Sequence, residues 1–178
     1  MVFVLLLKED ILVDIRMLLT IILGSVILIF LIIAYFLYRR DQKIRNESTE
    51  KTKGKVVQYS WQSSRAPVVE YIVDGKKYKK ALYYSYVSHF STLFSSPKVS
   101  AKDNLLDTKL RLRGNAMVSL NTLMHDNFPL GTEMMVYYNP KQPKLAYVER
   151  YAPNYLWKIL LGVSGLFGVI ILVIWFVF

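Results

Sequence analysis

Two long apolar segments constrain the fold of this chain more than any other feature of its sequence. The first covers residues 17 to 38, and the second covers residues 157 to 178, in which Lys158 is the single charged residue. A helix of this length spans about 33 Å, which matches the hydrocarbon core of a lipid bilayer. Each segment is therefore predicted to be a transmembrane helix, with Tyr155, Trp157 and Lys158 as interfacial anchors of the second.

Residues 1 to 16 precede the first span and are harder to interpret. Their apolar run, residues 2 to 7, is too short to cross a bilayer. Two interpretations stay open: a short interfacial helix, or translation that starts at Met17. The span is longer than the apolar region of an ordinary signal peptide, lacks an Ala-x-Ala cleavage site and is followed by Arg39 and Arg40, which favours an uncleaved anchor.

The segment between the two spans carries the charge. Of the 23 Lys and Arg and the 13 Asp and Glu residues in the chain, 20 and 10 lie within residues 39 to 155, which accounts for the whole net charge of +10. Residues 39 to 53 are predicted to be a basic linker, and residues 54 to 155 a small folded domain. A basic domain beside a membrane is expected to meet anionic partners.

Few residues of this chain could support chemistry. The absence of cysteine excludes disulfides, cysteine zinc sites, thiol catalysis and iron–sulfur clusters. The two histidines, His89 and His125, fit no metal-ligand pattern, and there is no glycine-rich phosphate loop. Asp126 follows His125 directly, and adjacent helical residues point about 100° apart, so it is poorly placed to orient the imidazole. We therefore expect no catalytic residue, no metal, no cofactor and no enzymatic activity.

Two turns organise the predicted domain. The residues that define them are Asp74, Gly75, Asn139, Pro140 and Pro143. The Asp-Gly pair separates two strand-like stretches and accepts the positive φ angles of a two-residue type I′ hairpin turn. The prolines lack an N–H, so they are predicted to stop the strand at residues 132 to 138 before another begins at Leu145.

Weaker patterns fill the rest of the domain. Strands are predicted at residues 56 to 61, 67 to 73, 76 to 82 and 108 to 113. Helical spacing relates Val87, Phe90 and Phe94, and also Met117, Leu120 and Met124. The predicted fold class is an α+β membrane protein, in which two transmembrane helices flank a small, mainly β domain. This domain is expected to be barrel-like or sandwich-like, with about five short strands and one or two short helices.

Several short motifs resemble a known family. They are Gly54-Lys55-Val56, Pro67-Val68-Val69-Glu70-Tyr71, Val73-Asp74-Gly75-Lys76-Lys77-Tyr78 and Val136-Tyr137-Tyr138-Asn139-Pro140, with Pro143 and Ala146. In these motifs and in its two spans, the chain resembles the bacterial membrane proteins that carry the domain of unknown function 3592. The resemblance implies a small β domain beside one or two spans in the cell membrane and offers no catalytic residue. The connection from residue 82 to 131 is longer than is usual in that family.

One basic cluster directly follows the first span. It consists of Arg39, Arg40, Lys43 and Arg45. Basic side chains in this position gain about 1 kcal/mol each near anionic lipid headgroups. The same residues also act as a topology signal, and the two interpretations are compatible.

The run Lys76-Lys77-Tyr78-Lys79-Lys80 permits two interpretations. Lysines neutralise phosphates and tyrosine stacks on bases, as in nucleic-acid binding. On a strand, however, the run is divided between two faces, and lysines also protect a strand edge from pairing with other chains. The second interpretation is favoured, so nucleic acid is a disfavoured partner.

Small residues mark a face on each span. Gly24 in the first span is predicted to lie against Gly165 and Gly168 in the second, because small residues let helix backbones approach closely. Homo-oligomerisation is the alternative use of these faces.

The charges nearest the spans predict the topology. Seven basic residues lie between residues 39 and 55, whereas residues 1 to 16 carry two basic and three acidic residues, and no charge follows Lys158. By the positive-inside rule, the domain is expected in the cytoplasm and both termini outside the cell membrane.

These patterns favour a non-enzymatic bacterial membrane protein whose basic β domain contacts anionic lipid, a membrane-protein partner or a second copy of the chain. Two alternatives stay open. One is a membrane-tethered binding module for nucleic acid or an anionic cell-envelope polymer, which steep salt dependence would favour. The other is a hydrolase of unrecognised type, which loss of activity on a single polar substitution would favour.

Overall fold

The chain divides into a unit of two helices, Met1–Arg40 with Tyr155–Phe178, and a mainly β domain, Asp41–Asn154. The structure, a computed structural model, describes residues 2–61, 65–90, 100–101, 105–113 and 116–177. In chain order its elements are α1 (Val2–Glu47), β1 (Glu50–Tyr59), β2 (Pro67–Val73), β3 (Lys76–Ala81), β4 (Tyr86–Phe90), β5 (Ser100–Ala101), β6 (Lys109–Arg113), α2 (Ala116–Asn127), β7 (Glu133–Asn139), β8 (Gln142–Val148) and α3 (Leu156–Val177).

Two helices are long and apolar enough to cross a membrane: α1, over Ile15–Glu47, and α3, over Leu156–Val177. Both predicted spans therefore lie in helices. α1 also includes residues 2 to 16, which form one helix with the span rather than a separate interfacial helix. The sequence explains this, since residues 1 to 16 contain no glycine or proline that would end a helix. A translation start at Met17 stays a prediction.

Three pairs of side chains set an antiparallel register between α1 and α3. They are Phe30 with Phe167, Tyr38 with Trp157, and Thr20 with Trp175. The first two are ring contacts with centroids 6.2 and 5.1 Å apart. In the third, the indole N–H donates to the hydroxyl oxygen over 3.0 Å. Between these pairs, Ala34 and Ser164 are only 2% and 6% exposed, so small side chains lie where the helices approach most closely.

The predicted contact of Gly24 with Gly165 and Gly168 is wrong. A Cβ atom built on any of these glycines would meet no described atom of a neighbouring element within 4 Å, so none of them lies at the helix contact. The aromatic pairs set a register in which Gly24 is about one helical turn from the level of Gly168. Large side chains at the two ends of the contact therefore decide the register, and glycine positions alone do not reveal it.

The β domain is built on a five-stranded antiparallel sheet with the strand order β3-β2-β1-β7-β8. The strands at the two ends of this order, β3 and β8, lie against each other, so the sheet curls into a nearly closed barrel. This confirms the predicted fold class, in which two helices flank a small, mainly β domain.

Tyr71 fills the interior of the barrel. Its side chain is 1% exposed, and its ring packs against Tyr78 and Tyr138 at centroid distances of 5.7 and 6.4 Å. A buried hydroxyl without a partner costs free energy, and this one donates to the Pro143 carbonyl of β8 over 2.5 Å. The bond connects β2 to the far end of the strand order. Burial and, to a smaller extent, Tyr78 raise the pKa of Tyr71 to about 12.

The linker predicted for residues 39 to 53 is wrong. α1 continues to Glu47, and β1 begins at Glu50 and pairs with β7 from its first residue. The strand is hidden in the sequence because its outward residues are lysines, which make the segment look uniformly polar. The domain accordingly starts before residue 54.

Both predicted turns are present. Asp74 and Gly75, between β2 and β3, have φ angles of 49° and 73°, as a type I′ turn requires. In the turn between β7 and β8, Asn139 is buried, and its side-chain oxygen accepts the N–H of Lys141 over 2.8 Å. Its amide group donates to the Glu47 carboxylate over 2.8 Å, which fastens the end of α1 to this turn.

The two prolines near this turn have different roles. Pro140 begins the short connection between β7 and β8. Pro143, predicted to stop the strand, instead lies inside β8. Because β8 is the last strand of the sheet order, a residue without an N–H loses no ladder bond on its outer side. That part of the prediction is wrong because local sequence does not show which strand is at the edge.

Residues 82 to 131 connect β3 to β7, and we call this connection the insertion; its described residues include a second sheet of three strands. β4 and β6 pair in parallel, and β5 pairs with β6 antiparallel. The predicted strand at residues 108 to 113 is present as β6, and the predicted helix is α2. By contrast, Val87 and Phe90, predicted on a helical face, lie in strand β4, and Phe94 lies outside the described residues. β4 is a strand because it pairs with a segment distant in sequence, which periodicity within one segment does not reveal.

The insertion and the barrel share one hydrophobic core. Its buried residues among those described are Val56, Ala66, Val69, Tyr71, Val73, Leu82, Tyr84, Leu110, Met124, Phe128, Met134, Val136, Ala146 and Val148. Leu110 comes from β6 and Met124 from α2, and both belong to the same cluster as Val136 of β7. The insertion is therefore part of the domain's core rather than a separate module.

Gly54, on β1, is required by the spacing of the strands. A Cβ atom at this position would lie 2.5 Å from Cγ1 of Val69 and 2.7 Å from the carbonyl oxygen of Glu70. The second atom belongs to the backbone of β2, so it can move only if the ladder moves. Any side chain at this position would push β1 and β2 apart.

We expect Gly54→Ala to lower the free energy of unfolding by about 1–3 kcal/mol, the usual cost of forcing an extra methyl group into a packed core. Thermal unfolding of the purified full chain in detergent, followed by circular dichroism, measures the change. Lys55→Ala, at the exposed neighbouring position on the other side, is the control and should change stability by less than about 0.5 kcal/mol. Equal midpoints for the Gly54 variant and the wild type would contradict the close approach.

Candidate functional site

The basic residues predicted to meet lipid all lie on α1. They are Arg39, Arg40, Lys43 and Arg45, and all four are exposed. At 3.6 residues per turn, the first three lie within an arc of about 100°, and Arg45 lies on another side of the helix. We name these four residues the α1 basic group.

α1 holds the α1 basic group close to the end of its apolar segment. Tyr38 is the last apolar residue before the group, and the helix continues to Glu47. At 1.5 Å per residue, Arg45 is about 10 Å farther along the axis than Tyr38. Asp41, in the same stretch, accepts the backbone N–H of Asn154 at 3.3 Å, so its carboxylate is turned towards the β domain. All four basic residues therefore lie within one helix, α1.

A second positively charged surface lies on the outside of the barrel. It consists of Lys51, Lys53 and Lys55 from β1 and Lys77 and Lys79 from β3, and we name it the lysine face. All five residues are exposed. Strand pairing places them on one side, since Lys55 and Lys79 both stand opposite Glu70 of β2. The adjacent residue of β2, Tyr71, points into the core.

Carboxylates balance only part of this charge. Ion pairs join Lys77 to Glu70 at 3.2 Å and Lys53 to Glu133 at 3.1 Å. A third carboxylate, Glu149, accepts the backbone N–H of Met135 over 2.7 Å. Within the described residues, the other three lysines form no ion pair. The lysine face therefore has an excess of positive charge.

Tyrosines border the lysine face. Tyr137 of β7 stands opposite Lys51 and stacks on Tyr147 of β8, with ring centroids 5.0 Å apart and 15° between the planes. Tyr151 meets Tyr147 edge to face at 5.9 Å. Burial, with a smaller contribution from Tyr137, raises the pKa of Tyr147. Cationic groups and aromatic rings thus lie side by side on the outer surface of the sheet.

The sequence predicts the part of the lysine face that lies on β3. The run of residues 76 to 80 divides between two faces, as predicted: Tyr78 packs on Tyr71 inside the barrel, and Lys77 and Lys79 face outward. The contribution of β1 was missed. Its lysines alternate with other residues at positions 51 to 55, and this period of two is a strand signal. The overall polarity of residues 39 to 53 predicts a linker, whereas the alternation of the lysines at positions 51 to 55 predicts a strand.

The two histidines are placed differently. His125, at the end of α2, is exposed and stacks on Tyr59, with ring centroids 3.8 Å apart. The Tyr59 hydroxyl donates to the Phe128 carbonyl over 2.7 Å. The side chain of His89, in β4, lies outside the described part of the structure. Among the described residues, no group of three or more His, Asp and Glu side chains could hold a metal ion.

Arg150 connects the insertion to the end of β8. Its guanidinium donates to the Tyr83 carbonyl over 2.6 Å and also to the carbonyls of Leu106 and Asp107. It lies 5.0 Å from the ring centroid of Tyr84. Burial raises the pKa of Tyr84 to about 12, against the opposing effect of Arg150. A groove of about 450 Å³ opens beside this contact, but the guanidinium is already bound to main-chain carbonyls, so we assign it a structural role.

The chain matches no protein-family model, no curated protein and no solved structure. The resemblance to membrane proteins that carry the domain of unknown function 3592 therefore stays a prediction from sequence. The α1 basic group and the lysine face are the features from which a function can be inferred.

We expect Arg150→Lys to lower the free energy of unfolding by about 1.5–3 kcal/mol. An ammonium group lacks the planar fork that reaches several carbonyls at once, so some of the carbonyls of Tyr83, Leu106 and Asp107 lose their donor. Thermal unfolding of the full chain in detergent measures the effect. Arg65→Lys, the same change at an exposed arginine, is the control and should be nearly neutral. Similar midpoints for the two variants would argue against a structural role for Arg150.

Proposed function

We propose that this chain is a non-enzymatic bacterial membrane protein whose two spans hold a basic β domain at an anionic lipid surface. The observation that carries the proposal is the continuity of α1, which runs without interruption from its apolar segment into the α1 basic group. The resemblance to a family of bacterial membrane proteins supports the bacterial origin and the membrane location. A membrane-protein partner, or a second copy of the chain, is a further prediction.

Lipid headgroups are the anions that this geometry favours. The α1 basic group begins directly after the apolar segment and ends within about 10 Å of it, close enough for its long side chains to reach a headgroup region that is about 5–8 Å deep on each side. A basic side chain at this depth gains about 1 kcal/mol from anionic lipid. Three of these side chains, Arg39, Arg40 and Lys43, lie within an arc of about 100° on one helix, so their contributions act on neighbouring headgroups.

Two other roles of the α1 basic group are compatible with lipid binding. Arg45 lies in the last turn of α1, where a positive charge interacts favourably with the helix dipole. All four residues also contribute to topology. Neither role requires anionic lipid in particular, so a comparison of lipids separates them from the proposed one.

The cytoplasm is the proposed location of the β domain. Seven basic residues lie between residues 39 and 55, whereas residues 1 to 16 carry Lys8 and Arg16 against three acidic residues. In the second span, the single charge, Lys158, lies at the end that adjoins the β domain. Both spans thus favour the same orientation by the positive-inside rule, with the α1 basic group at the anionic inner leaflet.

We expect Lys141→Cys to resist labelling by an impermeant maleimide in intact cells and to react after permeabilisation. The chain has no cysteine, so the introduced thiol is unique, and position 141 is an exposed turn between β7 and β8. Gel-shift analysis of the labelled protein measures the reaction. Labelling of intact cells would place the β domain outside the membrane and would exclude contact with the inner leaflet.

For lipid contact, we expect the full chain in vesicles of phosphatidylcholine to prefer spin-labelled phosphatidylglycerol over spin-labelled phosphatidylcholine. The preference should fall as salt is added, because salt screens exposed charges. Replacement of Arg39, Arg40, Lys43 and Arg45 by glutamine should remove most of it, at about 1 kcal/mol for each charge. The fraction of motionally restricted lipid, read by electron spin resonance, measures the preference.

A matched variant controls for net charge. Replacement of Lys77, Lys79, Lys141 and Lys144 by glutamine removes the same charge from exposed positions of the β domain and should leave the lipid preference in place. An equal loss in both variants would assign the effect to net charge. An unchanged preference in the α1 variant would refute the proposal.

A further inference from the structure

The lysine face has a regular spacing that suits an extended anionic chain. Lys51, Lys53 and Lys55 point outward from β1 at intervals of two residues, which is about 7 Å along the strand. Lys77 and Lys79 repeat the interval on β3, two strands away and therefore about 10 Å to the side. Successive phosphates of an extended phosphodiester chain have a comparable separation.

The exposure of these lysines favours a polymer over a small anion. A single exposed lysine binds a single anion weakly, because water and salt compete for both charges. Several lysines that meet several phosphates of one chain release several counterions, and these contributions add. Three of the five lysines, Lys51, Lys55 and Lys79, form no ion pair within the described residues and are available for such contacts.

The stacked tyrosines favour a polymer with bases. Lys51, Tyr137 and Tyr147 form one row across β1, β7 and β8, so the phosphate-binding positions end beside an aromatic pair. Bases stack on such rings with little dependence on sequence. A phosphate polymer without bases would gain nothing from them.

We propose that the lysine face and the Tyr137–Tyr147 pair bind single-stranded nucleic acid along the outer surface of β1. This activity is distinct from lipid contact by the α1 basic group and uses different residues. It also revises the expectation from sequence that nucleic acid is a disfavoured partner, because that expectation considered β3 without β1.

The test measures binding of a fluorescent oligothymidylate of about twelve nucleotides to the full chain in nanodiscs of phosphatidylcholine, by anisotropy. A zwitterionic lipid avoids repulsion between an anionic membrane surface and the oligonucleotide. We expect the logarithm of the binding constant to fall with the logarithm of salt concentration with a slope of about −2 to −3.5, which corresponds to three to five phosphate contacts on a single strand.

Replacement of Lys51, Lys53 and Lys55 by glutamine should weaken binding at least about tenfold at low salt and reduce the slope by about 2. A matched variant with Lys109, Lys141 and Lys144 replaced by glutamine loses the same charge from exposed positions elsewhere and should bind like the wild type. Equal binding by the wild type and the β1 variant would overturn the proposal, and so would equal weakening in both variants.

Tyr147→Leu separates the two kinds of polymer. It should weaken oligothymidylate binding several-fold without changing the salt slope, and it should leave binding of inorganic polyphosphate unchanged. If polyphosphate binds the wild type as tightly as the oligonucleotide and Tyr147→Leu affects neither, the face belongs to a base-free polymer and the proposal is refuted. The lysine variants keep the test valid if Tyr147→Leu does not fold, since their positions are exposed.

Discussion

The barrel depends on one buried polar contact, the hydrogen bond from the Tyr71 hydroxyl to the Pro143 carbonyl. An unpaired hydroxyl in a protein interior is costly, so the sheet must close where an acceptor is within reach of this ring. Pro143 provides the acceptor from β8, at the end of the strand order. The bond thereby joins β2 to β8, while β1 lies between β2 and β7 and pairs with both.

β1 is the strand on which the lysine face depends, because it carries three of the five lysines. It begins two residues after α1 ends, and it pairs with β2 on one side and β7 on the other. Its inward residue Gly54 has no side chain, which lets β2 approach closely. The lysines that project from the opposite face therefore sit on a tightly packed strand, and their spacing is set by the backbone rather than by flexible loops.

Local chemistry decided which parts of this fold could be predicted from sequence. Asp74 and Gly75 specify their turn by themselves, because positive φ angles suit few residue types. The prediction that Pro143 ends a strand is wrong, because β8 is the last strand of the sheet order and such a strand can contain a proline. The segment of β4 was predicted to be helical, because its partner strand β6 lies elsewhere in the chain. The lysine face as a whole was not predicted, because it combines β1 and β3, which come from two parts of the sequence. The predicted contact of Gly24 with Gly165 and Gly168 is also wrong, because aromatic side chains at other positions set the register of the two helices.

The lysines of β1 also matter during synthesis of the chain, before β7 has been made. Lys53 and Glu133 form an ion pair between neighbouring strands although they are 80 residues apart in sequence. During translation, β1, β2 and β3 can pair as soon as they emerge, whereas the other edge of β1 has no partner until β7 is made. An open strand edge recruits other chains, and lysines oppose this. The alternating lysines of β1 are therefore expected to oppose pairing with other chains until β7 is added.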